Sequence, residues 1–366
     1  METVCDPEKC TGCMACTDIC PKNAIELKDS IRSLNAVKLT DKCINCKACE
    51  QVCPVNHPIE KKEPFEWHQG WANDDAICAQ GSSGGVASAI AYHFVETGGT
   101  VCSCAFQNGE FTFCLTDNTE ELHKFAGSKY VKSNPMGAYR ATQTALKSGK
   151  KVLFIGLPCQ VAAAKKFLKR NFDNFFSIDL ICHGTPSVKL LEKFLNQYEL
   201  TLSNLDNIQF RRKTSFSLSD GEKTIACKGT SDHYSIAFLS GLTYTENCYE
   251  CQYAQWQRVS DITLGDSWGS MLENKNGLSL ILCQTEKGKK LLEESDLHLE
   301  EVDIQTAVAH NHQLTAPMTK PNQKDAFFDG IDAGKNFNRL VFSALPKKCI
   351  RQKVKAILIK TGILKR

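Results

Sequence analysis

Apolar positions along this chain form short runs broken by polar turns, and the runs predict a body of alternating strands and helices. Thr100–Phe106 and Phe111–Leu115 read as two strands around Asn108-Gly109, a two-residue joint of the hairpin type. Spacing near 3.6 predicts helices over Asn134–Ser148 with Pro135 in the first turn, over Gln160–Arg170, and over Ser187–Gln197 behind a Ser187 cap. Between them, Lys151–Gly156 and Phe175–Cys182 are largely apolar, as strands covered on both faces are. Later strands are predicted at Ile208–Arg212, Ile262–Asp266, Leu278–Thr285 and Leu297–Val302. A strand–helix–strand–helix order implies at least one parallel βαβ unit and so an α/β body.

The first sixty residues follow another rule. Of the chain's 20 cysteines, nine precede residue 54. Cys10, Cys13, Cys16 and Cys20 have the spacing C-x2-C-x2-C-x3-C-P, and Cys43, Cys46, Cys49 and Cys53 repeat it. The two-residue spacings turn three sulfurs inward onto three irons of a cubane, while the fourth cysteine reaches the other cluster. Cys10, Cys13, Cys16 and Cys53 would then hold one [4Fe–4S] cluster, and Cys43, Cys46, Cys49 and Cys20 the second. Structural zinc needs four ligands and has no use for this eight-cysteine repeat. The segment resembles the bacterial-type two-cluster ferredoxin over residues 5–54. Cys5 lies outside the pattern and reads as a plain thiol.

Length and charge refine this picture. At 366 residues, with 42% hydrophobic and 23% charged positions, the chain can bury a core in two or three domains. Its start, METVCDPEKC, has neither the basic nor the apolar region of a leader. No run approaches the roughly 18 apolar residues of a membrane span, so a reducing cytoplasm is expected. Net charge is +3, yet Pro346–Arg366 holds eight basic residues and no acidic one, which leaves −5 on the rest. The body therefore offers no nucleic-acid surface. The tail reads either as a basic amphipathic helix for an anionic membrane face or acidic partner, or as a solvated end. The expected organisation is a two-cluster domain at 1–60, a linker at 61–74 following the turn-rich stretch His57–Pro64, the body at 75–345 and the tail at 346–366.

Three body segments carry candidate chemistry. Gln80–Ile90, with Ser82, Ser83, Gly84 and Gly85, is a turn opening an apolar helix; it suits a phosphate at a helix N-terminus or is simply a tight turn. Cys159 and Cys182 each follow a predicted strand, where ligands gather in open α/β sheets. Cys159 also begins a helix, which predicts a depressed thiol pKa. Cys248-Tyr-Glu-Cys251 precedes a strand ending in Gly265-Asp266, and with the other two it makes a set of four thiols. Buried structural cysteines are the alternative.

Taken in order, GSSGGVASAI, GSKYVKS (127–133), GLPCQVAA, DLICHGTPS, FRRK (210–213) and SDITLGDSWG resemble the coenzyme F420 hydrogenase/dehydrogenase beta-subunit family. The resemblance implies an α+β ferredoxin-like two-cluster domain followed by an α/β flavin-binding domain with a mixed sheet. It implies FAD held by Ser82–Gly85 and by Gly127–Ser133, including Lys129, Tyr130 and Ser133, with Lys129 as a cation beside the reduced ring. His183 would relay a proton or sit satisfied next to its turn, and Asp266 would orient a ligand or cap a loop. Cys159, Cys182, Cys248 and Cys251 become candidates for a third [4Fe–4S] cluster. Flavin joins one-electron clusters to two-electron carriers, so the expected activity is electron transfer between clusters, FAD and coenzyme F420 or an organic substrate. The partner would be a redox protein or small carrier. A non-catalytic electron-transfer subunit of a larger complex is the other reading, and oligomeric state stays open.

Overall fold

The computed structural model describes residues 2–270, 272 and 277–364; Lys365 and Arg366 of the predicted tail lie outside them. In the N-terminal module, β1 (Ile25–Asp29) and β2 (Leu34–Lys38) pair antiparallel beside two short helices, Ala15–Ile19 and Ala48–Gln51. The cysteine repeat is also a backbone repeat. Gly12 and Asn45 precede the second cysteine of each half at φ +64° and +54°, and Met14 and Lys47 follow it at +63° and +58°. Asparagine tolerates the left-handed region, whereas at Gly12 a Cβ would also stand 2.8 Å from Leu34 Cδ2.

The body is built on one eight-stranded mixed sheet. Its strands are β3 (Glu66–Ala72), β4 (Thr100–Gln107), β5 (Glu110–Thr116), β6 (Val152–Gly156), β7 (Phe175–Leu180), β11 (Ile262–Asp266), β12 (Ser279–Cys283) and β13 (Leu297–Glu300), while β8 (Ile208–Arg212), β9 (Ser215–Asp220) and β10 (Lys223–Thr224) form a separate small sheet. The large sheet runs β13-β3-β12-β11-β7-β6-β4-β5. Its centre, β11-β7-β6-β4, is parallel, and antiparallel strands flank it on both sides. β6 explains why the centre is buried. Val152 and Phe154 point to the helices Ala138–Lys147 and Pro158–Leu168, and Leu153 and Ile155 point to Val86–Glu96 on the other face.

Three boundaries differ from the sequence reading. The predicted linker 61–74 contains β3, which lies between β12 and β13 with five and four register pairs, and Lys62 and Arg258 exchange backbone hydrogen bonds of 2.8 Å. Glu66–Ala72 therefore belongs to the sheet. The helix predicted from Asn134 begins at Ala138; Asn134 is held in strand contact, its N–H donating to Phe111 O (2.7 Å) and its carbonyl accepting from Phe113 N (3.0 Å). The helix predicted from Gln160 starts two residues earlier with Pro158 at its first position and ends at Leu168. Ser187 caps as expected, accepting from Lys189 N at 3.1 Å.

Module and body share a core. Cys10, Ala15, Cys16 and Val52 pack in one cluster with Tyr139, Phe154, Val161 and Phe167. Polar links add to it: Tyr139 Oη donates to Cys13 O (2.7 Å), Ser187 Oγ to Asp29 (2.6 Å), and Arg32 pairs with Asp329 and Asp332 (2.6 and 3.0 Å). Among the described residues, no helix is long and apolar enough to cross a membrane.

Candidate functional site

Cys10, Cys13, Cys16 and Cys53 line one recess between the repeat and β1–β2. Cys5, outside the repeat, lines it too, in contact with Cys10 and Cys53, and is a fifth thiol of this recess. The S–H of Cys5 holds Cys10 down to about 6, helped by backbone N–H groups and by Lys132. It also brings Cys53 to about 7. Burial pushes Cys13 up to about 12 and Cys16 well above the usual thiol range. The second set is more open. Cys46 is exposed, Cys43 and Cys20 are half-buried and Cys49 is buried; backbone N–H groups point at sulfur, Ala24 to Cys20 at 3.3 Å and Asn45 to Cys43 at 3.5 Å. Among the described residues, no three ligand-type side chains converge on a single-ion position. A cubane spreads its four cysteines over four irons.

A second cavity lies at the carboxyl ends of β6 and β7. Cys159, Cys182, Cys248 and Cys251 all line it, although they come from three separate segments. Cys159 lies in the first turn of the helix after β6, Cys182 follows β7, Cys248 ends the short helix Glu246–Cys248, and Cys251 sits on the turn beyond it. The expected depression of Cys159 does not hold. Burial lifts its thiol well above the usual range, with only Lys132 opposing, and Cys182 rises to about 12 for the same reason. Thr11 belongs to the walls of both cavities, and the buried Lys132 donates to Thr11 O at 2.8 Å. Arg258, also in this wall, is 2% exposed and bonds Asp179 at 2.7 Å, itself 0% exposed. The bond is to Oδ1; Asp179 Oδ2 has no hydrogen-bond partner among the described residues.

The predicted flavin residues fall into two groups. Ser82 Oγ accepts from Ser128 N at 2.8 Å, which ties the Gly-Ser turn to the 127–133 segment. The following helix, Val86–Glu96, has Gly85 at its start (φ +78°), no side-chain cap and no acid in its first turn, so its leading N–H groups suit an anion such as a flavin pyrophosphate. The glycines also have a packing reason, since a Cβ at Gly84 would stand 2.4 Å from Gly70 O and one at Gly85 2.7 Å from Cys78 Cα. Ser83 Oγ donates to Leu278 O (2.8 Å). Lys129 spends its three donors on the carbonyls of Lys124, Phe125 and Ala126 (3.3, 2.8 and 2.9 Å), and burial brings it down to about 8.

Of the second group, only His183 lines the four-cysteine cavity. Asp266 takes a bidentate ion pair from Arg211 (2.6 and 2.8 Å), whose guanidinium lies over Phe216 and Trp268. Tyr130 stacks on Phe238 at 4.3 Å, and Ser133 Oγ accepts from Gln160 Nε2 at 2.9 Å. His183 lines the cavity; burial holds it below the usual imidazole range, and Gln313 Nε2 donates to its Nδ1 at 3.0 Å. That fixes a neutral ring with its proton on Nε2. Sequence reasoning gave Lys132 no role beyond its place in the 127–133 segment, and none to Arg211, Lys213 or Arg258. FRRK and GSKYVKS contained three of them; Lys213 Nζ bonds Cys78 O and Ser83 O (2.6 and 2.8 Å) behind the Gly-Ser turn.

A duplicated cubane motif packed onto a large mixed sheet defines an iron–sulfur redox protein. The chain belongs to the coenzyme F420 hydrogenase/dehydrogenase beta-subunit family: the family's N-terminal part matches residues 67–139, its C-terminal part residues 149–306, and a 4Fe-4S dicluster domain matches residues 9–57. The coenzyme F420-dependent sulfite reductase of Methanocaldococcus jannaschii is 24% identical over 322 residues, 83% of this chain and 49% of that protein. The chain thus spans about half the length of that relative. A chain of the F420-reducing [NiFe] hydrogenase complex from Methanosarcina barkeri, in a xenon-derivatised structure, aligns with a TM-score of 0.48 at 17% identity over 69% of this chain and 90% of its own.

Proposed function

We propose that this protein is a flavin-containing iron–sulfur oxidoreductase in which Cys159, Cys182, Cys248 and Cys251 hold a third [4Fe–4S] cluster between the dicluster module and an FAD site. One observation carries the reading: thiols from three body segments line one cavity, and that cavity shares Thr11 with the recess of Cys10, Cys13, Cys16 and Cys53. FAD, held by Ser82–Gly85 and the 127–133 segment, would supply the exchange between single electrons and a two-electron carrier. Around the cavity, Lys132 and Arg258 bring positive charge to thiolates that burial otherwise disfavours. His183 holds a proton on Nε2 at the cavity edge, and Arg211 fixes the position of Asp266 by a bidentate ion pair. Coenzyme F420 fits as the carrier through the family; sulfite is left out, because the match covers only half of the relative whose name includes it.

Anaerobic purification with iron, sulfide and flavin measured together tests this. About twelve irons per chain are expected, falling to about eight in Cys159→Ser or Cys251→Ser while flavin stays near one. About eight irons in the unmodified chain would remove the third cluster. A second reading keeps the clusters without flavin, as an electron-transfer subunit docked on a larger redox complex. It draws on the glycines of the Gly-Ser turn and the donors of Lys129 being occupied by their own chain. Clusters with no flavin would select it.

A further inference from the structure

The segment Pro346–Lys360 is a fifteen-residue helix with two unlike faces. One is docked: Cys349 and Ile359 are buried, Gln352 Oε1 accepts from Ser231 N (3.1 Å), and Lys348 Nζ donates to Ser240 Oγ (2.8 Å). The opposite face carries Ile350, Val354 and Ile357 at i, i+4 and i+7, which are 49%, 49% and 60% exposed. At 3.6 residues per turn these form one stripe. Lys353 and Lys360 border it on one side, and Lys347 and Arg351 on the other. The helix has no acidic residue. Ile363 and Leu364 continue the exposed apolar surface, and Lys353 sits 4.7 Å over the ring of Phe342, itself 36% exposed.

We infer that this helix is a preformed docking surface for an anionic lipid bilayer. A lone exposed isoleucine needs no explanation, but three in register on a helix whose other face is already satisfied do. The charge pattern selects the occupant. An apolar stripe bordered on both sides by lysine and arginine matches the boundary between phosphate headgroups and acyl chains, with the long basic side chains reaching outward to the phosphates. Because Cys349 and Ile359 fix the helix to the body, membrane contact would also orient the whole molecule, without the ordering cost of a segment that folds on binding.

The test uses anaerobically purified full-length holoprotein with vesicles of phosphatidylcholine, alone or mixed with phosphatidylglycerol. Co-sedimentation is expected only with the anionic vesicles and should weaken as salt is raised. Ile350→Ser/Val354→Ser/Ile357→Ser should lose it while keeping iron content and absorption spectrum, since none of the three is buried. Each of Lys347→Gln, Arg351→Gln and Lys360→Gln should lower partitioning by about fivefold. Failure to pellet with anionic vesicles overturns the inference, as does equal pelleting of the triple variant. So does concentration-dependent self-association that the triple variant abolishes without any vesicle binding, which would make a second copy the occupant.

Discussion

The ammonium of Lys129 touches three carbonyl oxygens, and burial holds its pKa near 8, well below the usual 10.5 for lysine. Its charge is present below that pH and lost above it. If the charge serves a bound flavin, turnover of an artificial donor–acceptor pair should fall as pH rises through about 8. Lys129→Met should be slower at neutral pH by roughly tenfold, about 1.4 kcal/mol of barrier, and flat across the same range. Unchanged turnover in the variant would leave Lys129 as a cap on the preceding turn. The cysteines were legible at this scale because cubane ligation requires fixed spacing. Apart from Lys129, the buried cations were not, since an isolated lysine or arginine reads as a solvated side chain. Their partners lie far off in the chain: Arg211 meets Asp266 55 positions away, Arg258 meets Asp179 79 away, and Lys132 meets Thr11 121 away.

Among the elements, β8 and β11 were readable to the residue, and β6 and β7 nearly so, because β-branched and aromatic residues in short runs mark a strand without knowledge of the neighbours. β3 was not. Glu66–Ala72 holds His68, Gln69 and Gly70 between two tryptophans, and pairing with β12 and β13 makes it a strand. Gly70 itself is required there, since a Cβ would stand 2.2 Å from His298 O. The buried Arg258–Asp179 pair joins the end of β7 to the segment leading into β11. Arg258→Leu would strand the Asp179 carboxylate without a counter-charge, at a cost of about 3–5 kcal/mol. A lowered thermal midpoint with early iron loss is the expected result, and adding Asp179→Asn should recover most of it. Equal stability of Arg258→Leu and the unmodified chain would contradict this account of the pair.

At the scale of the whole molecule, the joint between dicluster module and body was the least legible part. Turn-rich composition at 57–64 suggested a connector, whereas the contacts that fix the module come from residues such as Tyr139, Asp329 and Ser187. Lys132 stands at this joint, and its charge acts on Cys10, Cys159 and Cys182. Removing a cation near a cluster favours the oxidised state. If the proposed third cluster is present, Lys132→Met should therefore make its potential and that of the first cluster more negative in EPR-monitored titration, leave the cluster of Cys43, Cys46 and Cys49 unmoved, and be reversed by Lys132→Arg. Equal shifts in all three clusters would mean a general disturbance.

The shared wall at Thr11 has a kinetic meaning. Free ferredoxins reach their partners by diffusion, so their exchange slows on dilution. With the proposed third cluster in place, donor and acceptor would sit on one chain, and passage between them would be a unimolecular event whose rate depends on the gap and not on protein concentration.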